Sequence, residues 1–465
     1  MTRTYIKDLA GKAGETVTIK GWVDVRRDQG KMVFFDFRDM TGYVQGVVLP
    51  NAKDVHEVAA KIRPEWVVEV EGKINSRPEK NVQKDKQNGA IELEILKIAI
   101  LNESQTPPID VRSNGMEIGE ESRLTYRYLD LRRPRMQNNI RMRDKVITFF
   151  RDYMHKNDFV EIETPMLMKG TPEGSREYLV PSRLENGKFY ALPQSPQQFK
   201  QLSMVAGFEK YFQIARCMRD EDSRGDRQPE FTQLDFEMSF VTQEDVLKYT
   251  EQMFIELVAT LYPKKKISQI PFPRLTYSES MKNYSSDKPD LRKDKNNPDE
   301  LAFAWIVDFP MFEKGDNGKL NAAHHPFCSI KEEDVDKFMK GEDLLSVRAN
   351  SYDLILNGYE LSSGSVRIHR REMQEKVFEL LEISKEEQQK KFSHMLEAFT
   401  YGAPPHAGFA PGIDRIMMIL QNEPNIREVI AFAKTGEGRD LMMKAPSEVS
   451  SDQLRELGIE LKKKK

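Results

Sequence analysis

The 465-residue chain has only two cysteines, Cys217 and Cys328. Two thiols cannot make a disulfide framework, and they show no zinc-ligand spacing, so both are expected reduced and the fold must rest on its apolar core. The chain also lacks any apolar run long enough to cross a bilayer, and its first residues, MTRTYIKDLAGKAG, lack the apolar stretch of an export signal. A cytoplasmic location with no membrane contact is therefore expected. Net charge is only -3, so there is no overall footprint for nucleic acid, and any such binding must come from local geometry. What remains is 39% hydrophobic and 31% charged residues, at a length that supports two or three domains with substantial cores.

The most informative stretch is 211 to 239, YFQIARCMRDEDSRGDRQPEFTQLDFEMS. An apolar run enters a charged turn around Arg224 and Gly225 and returns through Phe231, Leu234 and Phe236 at strand-like alternation, which predicts a long antiparallel hairpin. On the returning strand Phe231, Gln233, Asp235 and Glu237 share a face, and Arg219 and Glu221 share one on the outgoing strand. Such a surface offers Arg219 for a phosphate oxygen, Phe231 as a plate for a base and Asp235 for an ammonium.

Further chemistry follows on both sides. TPEGS is a Gly-rich loop whose Glu173 can act as a lid over a bound ammonium. LPQSPQQFKQL places Ser195, Gln197 and Lys200 at a helix start, where amides and a cation favour an anion. In SYDLILNGYELSSGSVRIH an apolar strand and an Asn-Gly turn separate Asp353 from Glu360, so the two can converge on one magnesium with phosphate oxygens completing its shell. Arg367 offers a planar fork to a carboxylate. In HAGFAPGIDRIMMIL, Gly408 and Gly412 allow a close approach to a nucleotide, and Arg415 at a strand-to-helix junction can hold a terminal phosphate. Paired His324 and His325 have no partner at ligand spacing, which argues against zinc.

Residues 1 to about 105 read as five short strands with one helix, AKDVHEVAAKI, after the third. That is the pattern of an OB-fold barrel, whose strand face commonly receives single-stranded nucleic acid. The segment carries 17 Lys plus Arg against 16 Asp plus Glu, so placement rather than bulk charge must do the binding. Arg26 and Arg27 flank Phe34, with Gln45, Arg77 and Glu92 on neighbouring strands, an arrangement suited to an unpaired base.

The motif RDEDSRGDRQPEFTQLDFE resembles motif 2 of the class II aminoacyl-tRNA synthetases, and FTQLD resembles their aspartyl and asparaginyl branch in particular. VEIETPML resembles motif 1, the subunit interface of a homodimer, and the stretch around GFAPGIDR resembles motif 3. GWVDVRRDQGKMVFFDFRD is similar to the anticodon-binding domain of aspartyl enzymes, and the C-terminal third to bacterial ones. The resemblance implies an α+β architecture: an N-terminal OB barrel (1–105), a hinge (106–135), a class II catalytic domain built on an antiparallel sheet flanked by helices (136–445) and a tail (446–465). Only 88 residues separate Asp235 from His324, too few for the bacterial insertion domain, so 262–300 is expected to be a short connection.

The same resemblance implies ATP and L-aspartate as substrates, Mg2+ on Asp353 and Glu360, and tRNA(Asp) as partner. It implies aspartate contacts from Glu173, Ser195, Gln197, Lys200, Arg219, Gln233, Asp235, His324 and Arg367. ATP contacts fall to Arg219, Asp220, Glu221, Gln228, Phe231, Glu360, Gly412, Ile413, Asp414 and Arg415, with Arg219 and Arg415 catalytic. Anticodon contacts fall to Arg26, Phe34, Gln45 and Glu92. Lys200 and Arg367 together should reject a neutral amide, against an asparaginyl enzyme, and the retained arginines and anticodon module argue against a non-catalytic RNA-binding relative. Whether tRNA(Asn) is also a partner turns on contacts near Gln29.

Overall fold

Five strands of the N-terminal unit, Met1–Ser113, close into a barrel in the order β1-β2-β3-β5-β4. They are β1 (Thr16–Gln29), β2 (Met32–Asp39), β3 (Gly42–Val48), β4 (Val67–Ser76) and β5 (Ile91–Asn102). This computed structural model describes residues 2–170, 175–315 and 318–462. Period-two alternation sends Ile19, Val33, Phe35, Phe37, Val70 and Leu93 inward, where they pack as one core. Phe34, between two core positions, is left on the outer face. Helix α1 (Lys53–Ala59) follows β3, as the sequence predicts for an OB fold, and buries Val55 and Ala59.

The second unit, Asn114–Lys465, is built on an eight-stranded sheet. Its strands are β6 (Val160–Glu161), β7 (Lys210–Met218), β8 (Glu230–Ser239), β9 (Arg274–Thr276), β10 (Phe303–Val307), β11 (Ser351–Leu356), β12 (Tyr359–Val366) and β13 (His406–Phe409). Their order is β9-β10-β11-β12-β13-β8-β7-β6, antiparallel except for the two end pairs. The strand of the motif 1-like stretch, β6, thus lies at one edge. The predicted hairpin is β7 and β8, paired from Glu230 opposite Met218 to Met238 opposite Lys210.

Helices α4 (Pro134–Lys156), α6 (Gln243–Leu261) and α8 (Ile413–Leu420) bury apolar faces with this sheet, with Val146, Phe150, Phe254, Leu257, Ile416 and Met417 meeting Phe236, Trp305 and Phe409. Helix α6 starts with a capping box in which Thr242 and Asp245 satisfy each other's backbone donors. Among the described residues no helix is long and apolar enough to span a membrane.

Two stretches differ from the sequence-based expectation. The expected hinge is partly structural: α2 (Glu120–Thr125) and α3 (Arg127–Asp130) belong to the second unit and send arginines into it. Arg123 forks onto both oxygens of Glu428 at 2.8 Å, and Arg135 adds a third contact at 2.8 Å. Composition hid this because a charge run reads as solvated unless the partners are known, and the partner of Arg123 lies 305 residues away. The expected connection at 262–300 is ordered too, contributing β9, helix α7 (Tyr277–Tyr284) with its own capping box, and a tied loop after it.

The arginine cluster carries a testable consequence. Burial acts to raise the Glu428 carboxyl, but the bonds from Arg123 and Arg135 outweigh it and hold it down at about 2. A pKa depressed on folding stabilises the protein above the unfolded value, and that stabilisation is lost as pH falls toward about 2. Glu428→Gln is therefore expected to cost roughly 2 to 3 kcal/mol near neutrality. In thermal melts the gap between variant and parent should close as pH drops from 5 toward 2; a gap independent of pH would refute the role.

Candidate functional site

A cavity of about 380 Å³ opens over β7, β8 and β12, between the start of α5 (Gln197–Val205) and the start of α8. One end is a buried constellation of four charges. Lys200 Nζ lies 3.1 Å from Asp235 Oδ2 and 3.4 Å from Glu237 Oε2, and Arg367 Nε donates to Glu237 Oε1 at 2.9 Å. All four are at most 2% exposed. Burial acts to raise Glu237, yet Arg367 and Lys200 outweigh it and hold it below the usual carboxylate range. For Asp235 burial wins over Lys200, helped by Glu237, so its pKa rises. Its Oδ1 is buried with no hydrogen-bond partner.

This corrects one expectation: Lys200 and Arg367 are not two bare cations, because Asp235 and Glu237 already neutralise them. His325 has its Nε2 against Arg367 Nη1 at 2.9 Å; burial and then that positive charge push its pKa well down, so it stays neutral and accepts. His324 lines the cavity edge-on to Phe309 and feels Glu360 rather than Arg367. Gly408, expected to face a nucleotide, instead makes room for Glu237: a Cβ there would overlap the Glu237 carboxylate and the Phe236 carbonyl.

At the other end Arg219 lies over the Phe231 ring, 5.0 Å from its centroid, with Nε reaching Gln194 O at 3.4 Å. Arg219 and Glu221 fall just beyond the end of β7 rather than on it, yet both line the cavity. Glu221 is bonded by Ser175 and Arg227, which together overcome burial and lower its pKa. Arg415, near the start of α8, donates to Glu360 O at 2.6 Å and Asp226 O at 3.1 Å, with Asp226 Oδ2 at 3.3 Å. Gly412 faces the cavity immediately before it.

Glu360 owes its orientation to a bulge. The Asn357-Gly358 turn gives a two-residue hairpin, with φ of 52° and 84°, as its sequence predicts. Then Leu361 is an extra residue in β12, which brings Glu360 to the face of Asp353 and Ser363. Ser363 Oγ donates to Glu360 Oε1 at 3.2 Å, and Lys288 Nζ lies 2.9 Å from Oε2. Asp353 is buried; burial and the Glu360 charge push its pKa well up, and its Oδ1 has no hydrogen-bond partner. Among the described residues no three His, Cys, Asp or Glu gather for a metal. Two carboxylates, one with an orphaned oxygen, do fit a hard cation whose remaining ligands come from phosphate.

The remaining expected residues divide. Ser195, Gln197 and Gln233 line the cavity, Gln197 bonded to Gln201 and Gln233 to Ala410 O and the Cys217 thiol. Gln228 lines it too, but its amide is engaged by Lys434 N and Thr435 O. Three are corrected. Ile413 is core, pointing away as the first residue of an amphipathic helix. Asp414 lines the cavity, but both its oxygens are engaged, by Arg143 at 2.5 Å and Thr232 N at 2.9 Å, so it fixes α8 rather than a ligand. Asp220 is outside the cavity, half-exposed and 3.7 Å from Arg176. Glu173 lies outside the described residues. Sequence reasoning gave no role to Glu237, Asp226, Arg227, Arg143 or Lys288, since single charges within charged runs carry no signal of their partner.

On the barrel, Phe34 is half-buried opposite Arg27 and Val47. Gln45 Nε2 donates to Glu92 Oε1 at 3.0 Å, and Arg77 stands 3.5 Å from the same oxygen. Gln45 and Arg77 line a second cavity of about 290 Å³ with the 83–89 loop. Arg26 is corrected: it pairs with Phe35, not Phe34, and strand alternation turns it to the opposite face, where it bonds Ala59 O and Asp28. Arg27 takes the Phe34 side, forked onto Asp36 at 2.7 Å. Gln29 is exposed at the end of β1.

The family model described as "tRNA synthetases class II (D, K and N)" matches residues 119–436, and that of an "OB-fold nucleic acid binding domain" matches 17–101. A protein of Rubrobacter xylanophilus named "Aspartate--tRNA(Asp/Asn) ligase" is 42% identical, with 99% of this chain and 97% of that one covered. A Lysinibacillus sphaericus protein named "Aspartate--tRNA ligase" is 39% identical over 99% of each. The first alignment runs 584 positions against 465 residues, so more than a hundred positions of that relative have no counterpart here. The fold is shared with the asparaginyl-tRNA synthetase of Pyrococcus horikoshii complexed with asparaginyl-adenylate (TM-score 0.75, 22% identity, 94% and 98% covered). It is shared also with the aspartyl-tRNA synthetase of Entamoeba histolytica (TM-score 0.72, 24% identity, 93% and 91% covered).

Proposed function

Because the chain belongs to the class II tRNA synthetases of the D, K and N group, we propose that the two ends of its cavity are the aspartate and ATP halves of one active site. The enzyme ligates L-aspartate to tRNA in two steps through an aspartyl-adenylate, with ATP as co-substrate. In the first, an α-carboxylate oxygen bonds to the α-phosphorus while the bond from that phosphorus to the β-bridging oxygen breaks and pyrophosphate leaves with the electron pair. In the second, the terminal 3′-hydroxyl of the tRNA bonds to the aspartyl carbonyl carbon and AMP departs.

The observation that carries the substrate reading is the four-charge constellation. Asp235 Oδ1, buried without a donor, is suited to the substrate ammonium. Arg367 and Lys200 are suited to its β-carboxylate, with Ser195 and Gln197 beside them at the start of α5 and His324 along the wall. Arg219 takes the α-phosphate, Phe231 the base and Arg415 the pyrophosphate, so the protein's part is positioning and charge stabilisation rather than general base catalysis. Asp353 and Glu360 would hold Mg2+, which when bound neutralises charge on the phosphates. On the barrel, Phe34, Gln45 and Glu92 form the face for anticodon bases.

Charging of two purified tRNAs with labelled aspartate tests this reading. We expect charging of tRNA(Asp) and, on the likeness to the Rubrobacter protein, of tRNA(Asn) as well. Charging of tRNA(Asp) alone would refute the second part and direct attention to the Gln29 turn; charging of neither, with no aspartate-dependent ATP–pyrophosphate exchange, would refute the whole reading.

A further inference from the structure

Lys288 comes from the stretch SSDKPDLRKDKNNPDE, where one lysine among several reads as a solvated connection. The structure treats it differently. Ser285, in the left-handed region at φ 53°, ends α7, and Ser280 Oγ then donates to Ser286 O at 2.7 Å. Ser286 Oγ accepts from Lys288 N at 3.0 Å, and Asp290 is forked by Arg292 at 3.0 and 2.8 Å. The loop so tied rests on the Asn357-Gly358 turn, where a Cβ on Gly358 would meet Asp290 Cβ at 3.4 Å and Lys288 O at 3.9 Å. Its one lysine aimed inward reaches the cavity and ends 2.9 Å from Glu360 Oε2, while Arg415 Nη1 stands 4.0 Å from Oε1 of the same carboxylate.

Two cations therefore converge on one carboxylate at the end of the cavity opposite the aspartate constellation. Arg415 is held also by Asp226 at 3.3 Å, so Lys288 is the cation whose one salt bridge among the described residues is to Glu360, an arrangement that keeps it beside the cavity. That is a reasonable way to store positive charge for an incoming polyanion. We infer that Lys288 is a pyrophosphate-binding residue, parked on Glu360 in the free enzyme and transferred to the β- and γ-phosphate oxygens when ATP binds. The inference rests on the reading of this cavity as the ATP site. The chemistry suits lysine: a mobile point charge on a flexible stem can exchange partners, where the Arg415 fork is fixed by two backbone carbonyls. Nothing is transferred covalently; the ammonium lowers the cost of charge gathering on the leaving group as the bond to the α-phosphorus breaks.

The test compares the full-length parent with Lys288→Met and Lys288→Arg. Calorimetry with pyrophosphate alone, in EDTA so that no metal takes part, and separately with aspartate alone, reads the role directly. The expected result for Lys288→Met is at least tenfold weaker pyrophosphate binding with aspartate binding within twofold, substantially restored in Lys288→Arg. ATP–pyrophosphate exchange should show the matching split, a raised KM for ATP and pyrophosphate with the KM for aspartate unchanged. Unchanged or tighter pyrophosphate binding in Lys288→Met would overturn the inference, because the lysine would then only shield Glu360. Equal losses for both ligands would overturn it as well, marking a merely structural residue. A parent enzyme with no aspartate-dependent exchange would fail earlier and separately, refuting the ATP-site reading itself.

Discussion

Arg367→Leu is expected to lower aspartate-dependent ATP–pyrophosphate exchange by a factor on the order of 10³, the largest loss foreseen for any single side chain here. Two effects add. On the proposed reading the substrate's β-carboxylate loses a guanidinium contact, and Glu237, fully buried at 0% exposure, loses the guanidinium that holds it at 2.9 and 3.2 Å. Removing one member of a buried pair costs roughly 3 to 5 kcal/mol, mostly through the charge left behind. The variant should therefore also melt earlier. Adding Glu237→Gln separates the two effects: the double variant should recover much of the lost stability, because no uncompensated carboxylate remains, while exchange stays low. Exchange within tenfold of the parent in Arg367→Leu would refute the substrate role; recovery of exchange in the double variant would show that the arginine serves only Glu237.

The same constellation shows what the sequence could and could not tell. Alternation along β8 placed Asp235 and Glu237 on one face, the helix-start pattern placed Lys200, and its planar fork singled out Arg367. Each is a local signal, read from spacing within one element. That all four would meet as a closed, neutral group is a matter of sheet order, which puts β13 beside β8, β12 one strand further on and the start of α5 over β8. No periodicity encodes that. The consequence for specificity is concrete: rejection of asparagine cannot rest on two bare cations, since their charge is already balanced. On the proposed reading it would rest instead on whether the amide nitrogen can face Arg367 and Lys200, both donors, without losing hydrogen bonds.

The same division holds elsewhere. The OB barrel was legible because each strand alternates and its helix falls after the third strand. The face of Arg26 was not, because β1 has a register shift between Val23 and Val25 and a neighbour's pairing decides which arginine flanks Phe34. Glu360 was legible as a ligand candidate, but the Leu361 bulge that aims it was not. Lys288 gave no sequence signal at all, since its meaning lies in a loop resting on a turn some seventy residues away.

Arg219→Ala is expected to reduce ATP–pyrophosphate exchange by roughly 10² to 10³ with little change in thermal stability. The other cations at the ATP end are each held by a carboxylate: Arg227 by Glu221, Lys288 by Glu360 and Arg415 by Asp226. Arg219 has no such salt bridge among the described residues; its contacts are the Phe231 face and a long bond to Gln194 O. On the proposed reading its guanidinium, without a salt bridge among the described residues, is the cation best prepared for charge that builds on the α-phosphate only as the phosphorus changes partners. It is half-exposed on a loop beyond β7, so its loss leaves no buried group unpaired and the fold should tolerate it. Lys in its place keeps the charge and loses the fork, and should fall between parent and alanine. The loss should appear in kcat rather than in the KM for aspartate, because the interaction strengthens in the transition state. A variant that exchanges at near-normal rates, or one whose loss tracks a lowered melting temperature, would show that Arg219 holds the loop and not the phosphate.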